Sequence, residues 1–163
     1  MPSKRVCVID AGPIIHLDEL GVLEWLHHMG EIFVPESVAY EAEKHRRGVT
    51  AKLAGHIVAE AEFMSRKLAD VIRLHDLHTG EIAALAWVEK FGADLFVSDD
   101  RAARAASDDL GYESTGTLGV ITNATEAGVI SRTDAIGLIE SVRNRSTLHA
   151  STALLQKVIA RLR

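Results

Sequence analysis

Residues 95–101 read LFVSDDR: three apolar residues, a serine, two adjacent carboxylates and an arginine. A short apolar run bounded in this way predicts a buried strand rather than a helix. DLFVS (94–98) is the clearest strand after RVCVI (5–9), and RVCVIDAGP (5–13) repeats the device, with Asp10 closing the apolar run. Strands without polar alternation suit a parallel sheet buried on both faces. Outward from these two runs the apolar spacing changes to three and four, the period of helices. PIIHLDEL and VLEWLHHM predict short helices broken near Gly21. EIFV (31–34) predicts a second strand, and Pro35 suits the first turn of the helix ESVAYEAEKH, which runs to Gly48. A helix is expected over roughly 50–69, a weak strand at VIRL (71–74), and a helix in HTGEIAALAWVEKFG capped by Thr79 and stopped by Gly92. A further helix opens near Asp100 and runs to Gly111, YES (112–114) is a short edge strand, and TLGVITNATEAG, RTDAIGLIESVRN and HASTALLQKVIARL are three closing helices. The alternation predicts a single α/β domain over 1–163 with a mainly parallel sheet, residues 131–163 being its closing C-terminal helices.

Composition narrows the functional classes. The 163 residues suffice for one domain with a real core, and with aromatics at 5% that core must be built from Ala, Leu, Ile and Val. Trp25 and Trp87 fall on apolar helical faces and are expected inside. No apolar run approaches the roughly 20 residues of a membrane span. The start, MPSKRVCVID, lacks a signal peptide's apolar segment. A cytoplasmic protein with no membrane partner is expected. Cys7, the single cysteine, permits no internal disulfide and reads as a small strand residue. A net charge of −5 argues against binding nucleic acid by bulk positive charge. It does not exclude a nuclease, because acids that hold cations contribute that charge and the ions reverse it locally.

Ligand sites in parallel sheets form beyond the carboxyl ends of the strands. Asp10 follows the first strand directly, and Asp99 and Asp100 follow LFVS. Each acid alone reads more readily as a helix cap or turn residue than as part of a site. Two strand ends bearing acids in one small domain point to a shared site. Glu41 lies early in the helix after Pro35, and Glu81 in the first turn of its own helix, where the dipole also favours an anion. Glu36 and Glu43 are rivals for Glu41 and are expected on solvated surface. Phosphodiester cleavage needs an activated water and a stabilised developing charge, which divalent ions supply. Mg²⁺ and Mn²⁺ prefer carboxylate and water oxygens. Without metal such acids repel one another, so at least one pKa is expected to rise.

In this order and spacing the acids resemble the signature of the PIN domain. VIDAGPIIHL matches its opening strand and Asp, VPESVAYE its VP-x-x-V-x-x-E helix with Glu41, GEIAALAWV its Ala-rich helix opened by the third acid, and VSDD its closing T-N-D. The text from GADLFVSDDRAARAA to TGTLGVITNATEAGVI is similar to a prokaryotic subgroup of predicted PIN nucleic-acid-binding proteins related to VapC-type toxin ribonucleases, and the resemblance covers essentially the whole chain. It implies a three-layer α/β/α fold and a ribonuclease acting on single-stranded RNA. Asp10, Glu41, Glu81 and Asp100 would be its catalytic acids, with Mg²⁺ or Mn²⁺ held by Asp10, Asp100, Asp99 and Glu81. It also implies a toxin silenced by a cognate antitoxin, and a homodimer, for which GVLEWLHHM and the second helical region offer apolar faces. Ser98 stands where the motif has Thr, and Asp99 where it has Asn. Asp100 is thereby the aligned acid, and Asp99 an extra carboxylate that either joins the site or caps. Glu81 stands where many relatives have Asp. The alternative is a weakly active or inactive PIN-fold module that binds RNA or protein.

Basic and hydroxyl residues complete the inventory. KHRRG (44–48) either ends its helix in solvent or contacts phosphate through Arg46 and Arg47. Arg101 and Arg104, beside the acids, are candidates to hold RNA backbone. Thr115 and Thr117 either position a phosphate or water or cap the next helix. His27 and His28 are adjacent, His75 and His78 form a loose pair, and no HExxH occurs, so surface positions rather than a zinc site are expected.

Overall fold

The computed structural model describes residues 4–163. Five strands, β1 (Val6–Ile9), β2 (Glu31–Pro35), β3 (His56–Val58), β4 (Leu95–Val97) and β5 (Ser114–Thr115), form one sheet in the order β3-β2-β1-β4-β5. Every pairing is parallel. β1 and β4 are apolar throughout because they lie inside this sheet with helices over it. The helices are α1 (Ala11–Leu20), α2 (Glu36–His45), α3 (Val49–Lys52), α4 (Arg66–Leu74), α5 (Thr79–Phe91), α6 (Arg101–Leu110), α7 (Thr117–Glu126), α8 (Arg132–Arg145) and α9 (Thr152–Leu162). α5 packs on β1, β2 and β4 with α4 and α6 beside it, while α1, α7 and α8 pack together as a second helical layer. The result is the expected three-layer α/β/α arrangement. None of the described helices is long and apolar enough to cross a membrane.

The core follows the composition. Phe96, Ile9, Ile14, Leu17, Leu85 and Ile121 are among the largest fully buried side chains, and Trp25 and Trp87 are also buried. Cys7 is fully buried, and burial pushes its thiol up to about 11. Gly30 enables β2 to lie against β1. Its φ is 148°, and a Cβ there would collide with the Arg5 carbonyl, the group that accepts from Glu31 N–H at 2.8 Å.

The region after α2 departs from expectation. A helix over 50–69 does not form; α3, the edge strand β3 and the start of α4 occupy it. β3 registers against β2 through Phe33–His56, Val34–Ile57 and Pro35–Val58. It is three residues long and largely exposed, so it shows no apolar alternation. VIRL (71–74) is helical, not a strand. Ser65 caps α4 by accepting from Leu68 N–H, and Leu68 and Val71, three apart, form its buried stripe. Pro35 ends β2 and stands at the N-cap of α2 rather than in its first turn, and His78 rather than Thr79 caps α5. Leu23–His28 is a 3₁₀ turn. Leu23, Trp25 and Leu26 face inward, so GVLEWLHHM presents no apolar face to a partner.

Candidate functional site

β1 is followed outward by β2 and β3 on one side, and β4 and β5 stand on the other. The strand order therefore reverses between β1 and β4, and the crevice beyond their carboxyl ends is where parallel α/β sheets bind ligands. Ile9 registers with Val97, so Asp10 and Ser98 step out of the sheet side by side. Asp10 N–H donates to the Val97 carbonyl at 2.9 Å. The Ser98 hydroxyl donates to Asp10 Oδ2 at 2.9 Å and accepts from Asp100 N–H at 3.2 Å. Ser98 is fully buried. It joins the two strand ends and was not singled out as functional from the sequence, although its hydroxyl preserves what Thr supplies in the T-N-D motif. Asp100 is the N-cap of α6, with Oδ1 accepting from Ala103 N–H at 2.8 Å.

Two helices bring the remaining acids. Glu81 is the third residue of α5 and forms a capping box with His78: its Oε2 accepts from His78 N–H at 2.8 Å. Glu41 projects from α2, which follows β2, and its carboxylate has no hydrogen bond among the described residues. α2 and α5 come close because Gly80 lacks a side chain. A Cβ there would stand 3.0 Å from Glu41 Oε2. Glu36 is exposed, and Glu43 turns away to Gly48 and Thr50.

Asp10, Glu41, Glu81 and Asp100 line one open pocket of about 280 Å³. Burial pushes the Asp10 carboxyl from 3.8 up to about 7; hydrogen bonds from Ser98 and Ala11 oppose this, and the charges of Glu81 and Glu41 add to it. Burial raises Glu81 too, opposed by His78 and reinforced by Asp100 and Glu41. The expected mutual repulsion is present, but desolvation is the larger effect at both acids.

The other named residues are placed differently. Asp99 borders the pocket, but its oxygens are engaged: Oδ1 accepts from Thr117 N–H at 2.7 Å, and Oδ2 from the Thr117 hydroxyl at 2.6 Å. His16 Nδ1 lies 2.7 Å from the same Oδ2. Thr117 is fully buried and serves Asp99. Arg46 is bound to Asp18 at 2.7 Å, and Arg104 donates to the Ser98 carbonyl at 2.8 Å. Arg47 and Arg101 are exposed and outside the pocket wall. His27 and His28 are surface residues, and His75 pairs with Asp109 rather than with His78. His16, Thr147 and His149 line the pocket without having been singled out for it. The last two reach it across the whole chain, and local spacing carries no signal of that.

A divalent cation suits this donor set. Glu41 is unengaged, Glu81 and Asp100 each commit one oxygen, and the burial and repulsion at Asp10 are relieved by a positive ion. Among the described residues no group of three or more His, Cys, Asp or Glu is arranged to hold an ion by itself. An ion here would complete its shell with water, as Mg²⁺ commonly does.

No curated protein matches the chain. A family model described as PIN domain matches residues 6–163. The acids that resemble the family's signature stand at the crevice its sheet creates, and over this extent the chain belongs to the PIN-domain family.

Proposed function

We propose that the protein is a metal-dependent ribonuclease that cleaves phosphodiester bonds of single-stranded RNA. The observation that supports this most is the convergence of Asp10, Glu41, Glu81 and Asp100 in one open pocket at the sheet's reversal point. PIN domains are generally nucleases, and they typically use divalent ions. Asp10, Glu81 and Asp100, with Glu41 at hand, would hold Mg²⁺ or Mn²⁺, which would supply charge neutralisation for the phosphate and acidify a water. Ser98 fixes Asp10 and the Asp100 backbone relative to each other, and the α6 cap holds Asp100 in one orientation. The Glu81 capping box fixes that side chain to the first turn of α5.

The test is cleavage of an end-labelled unstructured RNA by metal-stripped protein, with and without added Mn²⁺. Cleavage is expected with the ion and is lost in Asp10→Asn and Asp100→Asn. RNA that is bound yet never cut with any divalent ion favours the second reading, a weakly active or inactive PIN-fold RNA- or protein-binding module. That reading draws on Asp99, whose oxygens are engaged by Thr117 and His16. The resemblance supports a toxin role in a type II pair, with a cognate antitoxin, homodimerisation and a cytoplasmic location. Tyr40, Phe63 and Leu74, each about three-quarters exposed, are apolar surface suited to such partners. Growth arrest on expression, relieved by co-expression of a small neighbouring reading frame, is the expected result for a toxin.

A further inference from the structure

The connection from α8 to α9 borders the mouth of the acidic pocket. Thr147, Leu148 and His149 line the same cavity as Asp10, Glu81 and Asp100. The segment forms neither helix nor strand, yet it is tied to α1. Glu19 accepts from the Ser146 hydroxyl at 3.0 Å, the Thr147 N–H at 2.7 Å and the Thr147 hydroxyl at 3.0 Å. Arg145 donates to the Leu20 carbonyl at 2.8 Å, and Arg143 holds the far end through Ala150 and Thr152. Burial raises the Glu19 carboxyl, but the donors from Thr147 and Ser146 outweigh it and hold the group below its ordinary range.

His16, three residues before Glu19 on α1, lines the pocket too, with its Nδ1 against Asp99. Among the described residues no Lys or Arg lines this pocket. The side chains there able to donate to a phosphate are the imidazoles of His16, His78 and His149, because the single proton of the Thr147 hydroxyl is spent on Glu19. A polyanion approaching four carboxylates needs donors along its path, and phosphate contacts are what position a nucleic acid chain. Arg46 and Arg104, expected from the sequence to fill that role, are engaged by Asp18 and the Ser98 carbonyl. His149 is exposed at the pocket wall and has no hydrogen-bond partner among the described residues.

We propose that the Ser146–Ala150 connection is the substrate-facing wall of the site, where His149 contacts the sugar–phosphate backbone of RNA and Glu19 is the positioning residue that moors the segment through Ser146 and Thr147. This rests on the nuclease reading above.

Steady-state cleavage of a short single-stranded RNA in Mn²⁺ tests the proposal. His149→Ala is expected to raise KM about tenfold with kcat changed less than about twofold, the loss of one hydrogen bond to a charged group. Glu19→Ala produces a similar rise with Thr147 and His149 intact, and combining it with His149→Ala adds little. Glu19→Gln, which keeps one acceptor oxygen, restores part of the loss. His27→Ala removes an exposed imidazole outside the pocket and leaves KM unchanged. An unchanged KM in both His149→Ala and Glu19→Ala overturns the proposal, even where Glu19→Ala lowers the melting temperature. A KM rise in Arg101→Ala that His149→Ala lacks also overturns it. Wild-type protein that binds RNA without cutting refutes the nuclease reading alone. The wall is then judged by fluorescence anisotropy of labelled RNA, with binding about tenfold weaker in His149→Ala expected and equal binding refuting it.

Discussion

Replacing Asp10 by asparagine removes the proposed catalytic centre, yet it should make the metal-free protein more stable at alkaline pH. The Asp10 carboxyl is buried, and its pKa stands at about 7 in the fold against 3.8 ordinarily. A raised folded pKa means that the native state holds its proton more tightly than the unfolded chain. The associated stability is fully present below pH 3.8 and is lost as pH rises through about 7. At roughly 1.4 kcal/mol per tenfold change in proton affinity, the penalty is about 1.6 kcal/mol at pH 5 and on the order of 4 kcal/mol at pH 8. Asparagine has nearly the same shape, can accept from Ser98 and does not titrate. In urea unfolding with a chelator present, the stability of Asp10→Asn relative to wild type should therefore rise by about 2–3 kcal/mol between pH 5 and pH 8. Glu81, raised chiefly by its own burial, titrates in both proteins and largely cancels in the difference. A gap that is equal at the two pH values, or that moves in favour of wild type, would refute the reasoning.

Adding Mn²⁺ at about 100 times its dissociation constant should raise wild-type stability by about 2.7 kcal/mol at pH 8 and that of Asp10→Asn by much less, read by thermal unfolding with and without chelator. Asp99→Ala and Asp100→Asn should separate structure from chemistry. The first strands two donors of Thr117 and the His16 ring, costing about 2–4 kcal/mol by urea unfolding. The second keeps the α6 cap within about 0.5 kcal/mol but abolishes cleavage. Gly80→Ala should lower the cleavage rate about tenfold by displacing Glu41. Its melting temperature should hold or rise slightly, because alanine is the better helix former by up to about 1 kcal/mol. A rate equal to wild type would show that the position of Glu41 is not critical.

The features legible in the sequence were those written locally. VCVI and LFV announce interior strands because both faces of each are buried, and the acids after them fall at the crevice because a parallel sheet puts those ends on one edge. HIV (56–58) gave no such signal. As an edge strand it is solvated, and its pairing depends on β2 rather than on its own pattern. VIRL carries β-branched residues but becomes a helix because Leu68 and Val71 need one buried face and Ser65 can cap it. In the site, adjacency of Asp99 and Asp100 concealed their difference. One begins a helix and faces the pocket, whereas the other holds the next helix through Thr117. The arginines looked available because their partners, Asp18 and the Ser98 carbonyl, are set by packing. Thr147 and His149 reach the pocket through contacts that no window of sequence contains, whereas His16 stands beside Asp10 in VIDAGPIIHL and is recognisable only by its contact with Asp99.

The central place of β1 has a consequence for how the protein comes into being. β1 is made first, but the neighbour that completes the crevice is β4, and the Asp10–Ser98 bond joins residues 88 apart in the chain. The tie from Glu19 to Thr147 spans 128. At about 5–20 residues per second, a ribosome needs several seconds to pass from one partner to the other. Throughout that interval Asp10 has neither Ser98 nor Asp100 beside it, and α1 has nothing to moor. For a protein whose proposed substrate is RNA, the topology itself delays activity: while the growing chain is closest to its own message, the parts of its cutting site have not yet met.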